Sequence, residues 1–199
     1  MKYPALPEKR LTGSEKFHDH GELVNFSVLN FWQWSASQLA ANNLRGHLAE
    51  FLVAQALGLA DGQRVEWDSY DLVTESGIKV EVKSSAYLQS WDQSELSKIG
   101  FGIAETQAWD EKQGRRTTES QRNSDVYVFC LVDTKDQSQL DITDTAQWKF
   151  YVTRTSELNT KLGAQKRLSL GRLETLRHEK CSFSGIHESI CSTLGVSCL

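Results

Sequence analysis

The chain has 199 residues, close to the roughly 150 expected of one domain and enough to bury a core. Hydrophobic residues make up 39% and charged residues 24%, with 2 Pro and 13 Gly, so collagen-like and largely disordered proteins are excluded. The formal net charge of −4 argues against a protein that coats nucleic acid through its overall charge, although a local cationic cleft is compatible with it.

The amino-terminal residues and the apolar runs indicate where the protein resides. Residues 1–13 contain no apolar stretch of signal-peptide length behind their positive charges. No apolar run reaches the length of about 18 residues that a membrane span requires. We therefore expect a cytoplasmic protein that does not cross a membrane.

Two helices are predicted after an irregular amino-terminal arm. Residues 1–24 mix Pro, Lys, Glu, His and Gly without a period, which predicts a loosely ordered arm before a single domain over 25–199. From Phe26 to Leu57 apolar residues recur at helical spacing, and Asn42-Asn43 is expected to break or kink the helix. The stripe of the second helix expected to be buried consists of Leu44, Leu48, Phe51 and Leu52.

A β-hairpin is predicted next, followed by further strands. A strand near residues 64–74 and a strand over 78–86 flank a turn in which Gly77 supplies the left-handed residue. Later strands are expected near 99–106, at 125–132 and at 148–153, with a mobile polar loop over 109–124 and a short helix from 155. This order predicts an α/β (mixed α+β) domain with a central mixed β-sheet flanked by helices.

The hairpin brings acidic residues together. A three-residue turn at 75–77 places Asp71 opposite Glu81, with their Cβ atoms about 4.5–5.5 Å apart, and strand alternation places Lys83 on the same face. Two adjacent carboxylates repel each other unless a cation lies between them, which favours Mg²⁺ or Mn²⁺. Glu50 lies at the border of the core-facing surface of the second predicted helix, where it could reach the same site.

These residues resemble the PD-(D/E)XK nuclease superfamily. The resemblance consists of Glu50, Asp71 and Glu81-Val82-Lys83, and covers residues 40–90. The stretch from Arg45 to Glu50 is also similar to the first helix of archaeal-type Holliday junction resolvases. Tyr70 stands where the superfamily name has proline.

The resemblance implies a restriction-endonuclease-like core and a set of catalytic roles. By resemblance, Asp71, Glu81, Glu50 and the Val82 carbonyl bind Mg²⁺, for which Mn²⁺ can substitute, and Lys83 assists the attacking water. Many members of the superfamily cut both strands as dimers, so a homodimer is also implied.

Several further residues are expected to contact DNA. Small hydroxyls that follow Lys83 could accept phosphate contacts, and cations in the polar loop could clamp phosphates. These residues are Arg45, Ser84, Ser85, Gln89, Lys112, Arg115 and Arg116.

The sequence therefore predicts a Mg²⁺-dependent DNA endonuclease. One alternative is a non-catalytic DNA-binding subunit of a defence or repair complex with the same fold. A second alternative is an interaction protein unrelated to nucleic acid, in which Asp71, Glu81 and Lys83 form solvated ion pairs on an ordinary hairpin face.

Overall fold

The computed structural model describes residues 3, 6–7, 9–64, 68–107, 109–110 and 115–197. The amino-terminal part contains a hairpin of β1 (Lys16–Asp19) and β2 (Glu22–Ser27), then α1 (Val28–Ala36) and α2 (Asn42–Ala56). The arm predicted to be irregular thus includes a hairpin. Asn42-Asn43 begins α2 rather than breaking a longer helix, since the break lies at residues 37–41.

The rest of the chain alternates strands and short helices. In order these are β3 (Leu72–Val73), β4 (Lys79–Ala86), β5 (Gly100–Gly102), β6 (Trp109–Asp110), β7 (Arg115–Arg116), β8 (Val126–Val132), β9 (Trp148–Arg154), α3 (Thr155–Leu162), β10 (Arg167–Ser169), α4 (Leu170–Leu173), β11 (Glu179–Cys181) and α5 (Ile186–Leu194). The predicted strands at 78–86, 125–132 and 148–153 are confirmed as β4, β8 and β9. The stretch predicted to be a mobile loop contains the ribbon of β6 and β7.

Five strands form the central sheet in the order β11-β9-β8-β4-β3. The β4–β8 pair is parallel and the other pairs are antiparallel. Every residue of β8 is buried, as expected of a strand covered on both faces. The predicted mixed α/β fold is confirmed, and it is consistent with a restriction-endonuclease-like core.

Apolar side chains cover the two faces of the sheet in separate layers. On one face, Ala49 and Val53 of α2 and Ile186 and Ile190 of α5 pack against alternate residues of β4, β8 and β9. On the other face, β5, α3, β10 and α4 contribute Phe101, Leu158, Leu168 and Leu173. Within the described residues, no helix combines the length and apolarity needed to cross a membrane.

Candidate active site

The β3–β4 hairpin has the register that its turn predicts. Leu72 pairs with Val80 and Val73 with Lys79. Gly77 lies in the turn at φ +85°, a backbone conformation that residues with a Cβ rarely adopt. Val80 and Val82 are buried against α2, whereas Glu81 and Lys83 point to the opposite face and are half-buried.

Asp71, Glu81 and Lys83 meet beside this hairpin. The Asp71 Oδ2 accepts a hydrogen bond of 2.7 Å from the Val82 N–H and lies 4.0 Å from the Lys83 Nζ. The Lys83 Nζ lies 2.6 Å from the Glu81 Oε1. The carboxylates of Asp71 and Glu81 thus share one ammonium group. Just before β3 begins, the Asp71 side chain rather than a backbone carbonyl accepts the Val82 N–H.

Glu50 adds a third carboxylate from α2. Ala49 and Val53 are fully buried against the sheet, which holds this part of α2 next to β4. Arg64 donates hydrogen bonds to both Glu50 carboxylate oxygens, through Nε and, at 3.3 Å, through a terminal nitrogen. The side chain of Glu50 is 14% exposed, and its charge acts on both Asp71 and Lys83.

The surroundings of the site shift the pKa of two groups. Burial, together with the charges of Glu81 and Glu50, raises the pKa of Asp71 to about 6, against the opposing effects of Lys83 and the Val82 N–H. Burial alone would lower the pKa of Lys83, but the charges of Glu81, Asp71 and Glu50 outweigh it and raise that pKa above its ordinary value. Lys83 is therefore an ammonium at neutral pH.

Tyr127 is a neighbour of the site that the sequence does not reveal. In the parallel β4–β8 ladder it stands opposite Glu81, and it is buried. Burial and the Glu81 charge raise the pKa of its phenol, so the hydroxyl keeps its proton. The apolar run 125–132 predicted a buried strand, but only the parallel register reveals which residue lies beside Glu81.

Two of the predicted DNA contacts bond to each other. Arg45 is buried, and its guanidinium donates to Gln89 Oε1 at 3.1 Å, to Asn42 Oδ1 at 2.7 Å and to the Ala40 carbonyl at 3.3 Å. Burial lowers the pKa of this guanidinium. Arg45 therefore links the start of α2 to the segment after β4 through hydrogen bonds, and its guanidinium does not face solvent.

The other predicted contacts lie on β4, on β7 and outside the described residues. Ser84 is half-buried and Ser85 buried, on the strand that carries Lys83. Arg115 and Arg116 form β7 of the ribbon, and Lys112 lies outside the described residues. Among the described residues, the candidate site comprises Glu50, Asp71, Glu81 and Lys83, with Tyr127 beside them.

The donor set suits a hard divalent cation. Three carboxylates lie within electrostatic reach of one another, and their mutual repulsion disfavours ionisation of Asp71. In the part of the chain that the structure describes, no group of three or more His, Cys, Asp or Glu side chains is close enough to form a ready-made metal cage. Glu81 and Glu50 are instead paired with Lys83 and Arg64.

Comparison with known proteins decides the family. A family model described as bacteriophage T4 endonuclease IV matches residues 24–164. The chain belongs to the bacteriophage T4 endonuclease IV family. The match includes all four site residues and the strands β3, β4, β8 and β9, and it supports an endonuclease, hence a hydrolase. No curated protein matches the chain.

Proposed function

We propose that this chain is a divalent-metal-dependent DNA endonuclease with a site of the PD-(D/E)XK type. The proposal is carried by the convergence of Asp71, Glu81 and Lys83 on one hairpin face, within the part of the chain that matches an endonuclease family. DNA is the proposed substrate because the family is named for a phage endonuclease. The cytoplasm remains the expected location.

The residues present fit a hard cation. Asp71, Glu81 and Glu50 would hold Mg²⁺ or Mn²⁺ together with the Val82 carbonyl, since these oxygens are the ligands that such ions prefer. A bound ion would neutralise charge at the scissile phosphate and lower the pKa of a bound water.

Lys83 acts as a fixed positive charge. In the metal-free protein the charges of Glu81, Asp71 and Glu50 raise its pKa, so Lys83 is an ammonium when the site holds no cation. An ammonium 2.6 Å from Glu81 can orient a water by donating to it and offset charge that builds up on the phosphate. This role differs from direct deprotonation of the attacking water.

The test is cleavage by the purified full chain of supercoiled plasmid, single strands and a four-way junction, in EDTA, Mg²⁺ or Mn²⁺. Glu81→Gln and Lys83→Ala should each reduce the metal-dependent rate by at least about a hundredfold. Matched controls come from the same hairpin: Glu75→Gln in the turn and Lys79→Ala, both at exposed residues, should cut like wild type.

Four results would contradict the proposal. Cleavage in EDTA, or cleavage unchanged by Glu81→Gln and Lys83→Ala, would exclude this site as the catalytic centre. DNA binding without cleavage, with a melting temperature raised by metal, would instead support a non-catalytic DNA-binding subunit. No effect of metal on the melting temperature together with no binding would favour an interaction protein unrelated to DNA.

A further inference from the structure

Residues 159–173 form a cationic stretch in an acidic chain. The stretch contains four basic residues and no Asp or Glu, whereas the whole chain has a formal net charge of −4. The four cations are Lys161, Lys166, Arg167 and Arg172. The structure describes the whole stretch, which comprises the end of α3, β10 and α4. Positive charge is therefore concentrated in one short part of the chain.

The cations of this stretch are exposed and lack acidic partners. Among the described residues, none of the four makes an ion pair, in contrast to Lys83 and Arg64, which lie against carboxylates. Arg172 donates to the Lys161 carbonyl at 3.4 Å, which brings the end of α3 next to α4. Like charges held on one short segment repel each other, and a bound anion would relieve this repulsion.

A buried arginine fixes the backbone of the cationic stretch. Arg122 donates through Nη2 to the carbonyls of Gly163, at 2.8 Å, and Gln165, at 3.0 Å. Its Nε donates to the Ile103 carbonyl at 2.9 Å, and the Ile103 N–H donates to the Lys166 carbonyl, also at 2.9 Å. The backbone is thus held by hydrogen bonds while the basic side chains remain exposed.

The cationic stretch covers the face of the sheet that carries Glu81. Its strand β10 pairs with β5, and Phe101 of β5 packs on Phe129 of β8, with ring centroids 5.0 Å apart. Tyr127, two positions before Phe129 on the same face, stands opposite Glu81. Glu81 raises the pKa of Tyr127 and Arg122 lowers it, so both charges act on this phenol. Arg122 therefore contacts the cationic stretch and lies within electrostatic reach of the residue beside Glu81.

We propose that the cationic stretch binds the phosphate backbone of DNA while the scissile phosphate lies at Glu81 and Lys83. This inference rests on the proposed nuclease function and names the surface that holds its substrate. Duplex DNA carries one negative charge per about 1.7 Å of its axis, so phosphates lie on both sides of any scissile bond. Three carboxylates at the site repel DNA, and the affinity must come from cations outside it. The cationic stretch supplies four.

The composition of the stretch favours contact with the backbone over contact with bases. It has no aromatic side chain on which a base could stack. The exposed residues between its cations are small or uncharged: Gly163, Ala164, Gln165, Ser169 and Gly171. Contacts with phosphates carry no sequence information, so the affinity due to this surface should not depend on base composition.

The experiment is a fluorescence anisotropy titration of the full chain with a DNA oligonucleotide, at several salt concentrations and in EDTA, where the proposed nuclease does not cut. Two double variants each remove two charges: Lys166→Gln with Arg167→Gln, and Lys161→Gln with Arg172→Gln. Each should weaken binding at low salt by about tenfold or more. Each should also make the slope of log K against log salt concentration shallower by about 1.8 for duplex DNA or about 1.4 for single strands.

The matched control removes the same charge from exposed lysines outside the stretch, by Lys16→Gln with Lys135→Gln. It should bind like wild type, which separates a local surface from an effect of net charge. Circular dichroism should give the wild-type spectrum for all three double variants, because they replace exposed side chains. In Mg²⁺, the two variants of the stretch should raise KM for cleavage and leave kcat unchanged, as expected of residues that bind DNA away from the reacting atoms.

Several outcomes would overturn the inference. These are a wild type that does not bind DNA at low salt, variants of the stretch that bind like wild type, and a control that is weakened as much as they are. Cleavage that requires Glu81 but is unaffected by the variants of the stretch would overturn this inference alone. Binding that depends on the stretch without any cleavage would support the surface and overturn only the proposed nuclease function.

Discussion

Asp71 is at once a backbone partner and a site residue, because the oxygen that accepts the Val82 N–H also faces Lys83. Its position is therefore fixed by the strand that carries Glu81 and Lys83. The alternation of the hairpin and the glycine in its turn were enough to predict this meeting. The depth of burial, which is the largest cause of its raised pKa, depends on the completed sheet and could not be predicted.

The raised pKa of Asp71 predicts a pH-dependent stability in metal-free protein. The pKa is about 6 in the folded chain and 3.8 as the ordinary value, so the folded state holds the proton more tightly. The resulting stabilisation is complete below the ordinary value and is lost as pH rises through about 6. In urea unfolding with EDTA, Asp71→Asn should therefore gain stability relative to wild type as pH rises from about 4 to about 7.

Asp136 provides a control of opposite sign. The Ser138 hydroxyl and N–H lower its pKa, so its contribution is present at higher pH and is lost on acidification. Relative to wild type, Asp136→Asn should lose stability as pH rises up to the ordinary value of 3.8, and should change little between about pH 4 and about pH 7. The same slope for both variants would contradict the assignment to Asp71.

The burial of Arg122 could not be predicted from the local sequence pattern. It lies in a polar stretch that suggested a surface loop, yet it is buried and donates to the carbonyls of Ile103, Gly163 and Gln165. Arg45 is a similar case, since its partner Gln89 is 44 positions away. The burial of both arginines depends on contacts between segments that are far apart in the sequence. The spacing of apolar residues within one segment does not predict such contacts.

Removal of Arg122 should be costly. Arg122→Ala leaves three carbonyl acceptors and the Asn159 side chain without their donor, and we expect a loss of about 3 kcal/mol or more in the free energy of unfolding. Arg177→Ala, at an exposed arginine, should change it by no more than about 0.5 kcal/mol. Equal losses in urea denaturation would refute the structural role of Arg122.

At the scale of elements, the buried stripe predicted for α2, which consisted of Leu44, Leu48, Phe51 and Leu52, was partly wrong. The buried residues of α2 are Arg45, Ala49, Val53 and Ala54, whereas Phe51 is 49% exposed. Leu48 and Leu52 pack only partly against the core. Small side chains allow α2 to lie close to β4, and hydrophobicity alone does not show which side of a helix its neighbour will cover.

Alanine substitutions at two glycines should change the stability of the protein in opposite directions. Gly77→Ala forces a Cβ into the left-handed region and should cost about 1–2 kcal/mol. Gly46 lies within α2 with open space around its missing Cβ, so Gly46→Ala should add about 0.5–1 kcal/mol through helix propensity. Thermal unfolding that shows the same sign for both variants would contradict the assigned backbone conformations.

At the scale of the whole molecule, the acidic balance limits how DNA can bind. With a net charge of −4, contact with phosphates must come from a local set of cations. Each neutralised phosphate contributes roughly −0.9 to the slope of log K against log salt concentration. Anisotropy titrations with a DNA oligonucleotide should therefore give a slope shallower than about −8, and a steeper slope would indicate a much larger cationic surface.

The parallel pairing of β4 with β8 affects the order in which the site is assembled as the chain folds. Asp71, Glu81 and Lys83 come from a short hairpin, which can close within microseconds, but Val80 pairs with Val126, 46 positions further along the chain. Such long-range pairing is slow, because the loop between the strands must be closed first. We therefore expect Asp71, Glu81 and Lys83 to meet early in folding in a solvated hairpin, and a newly made chain to remain inactive until its central strand is in place.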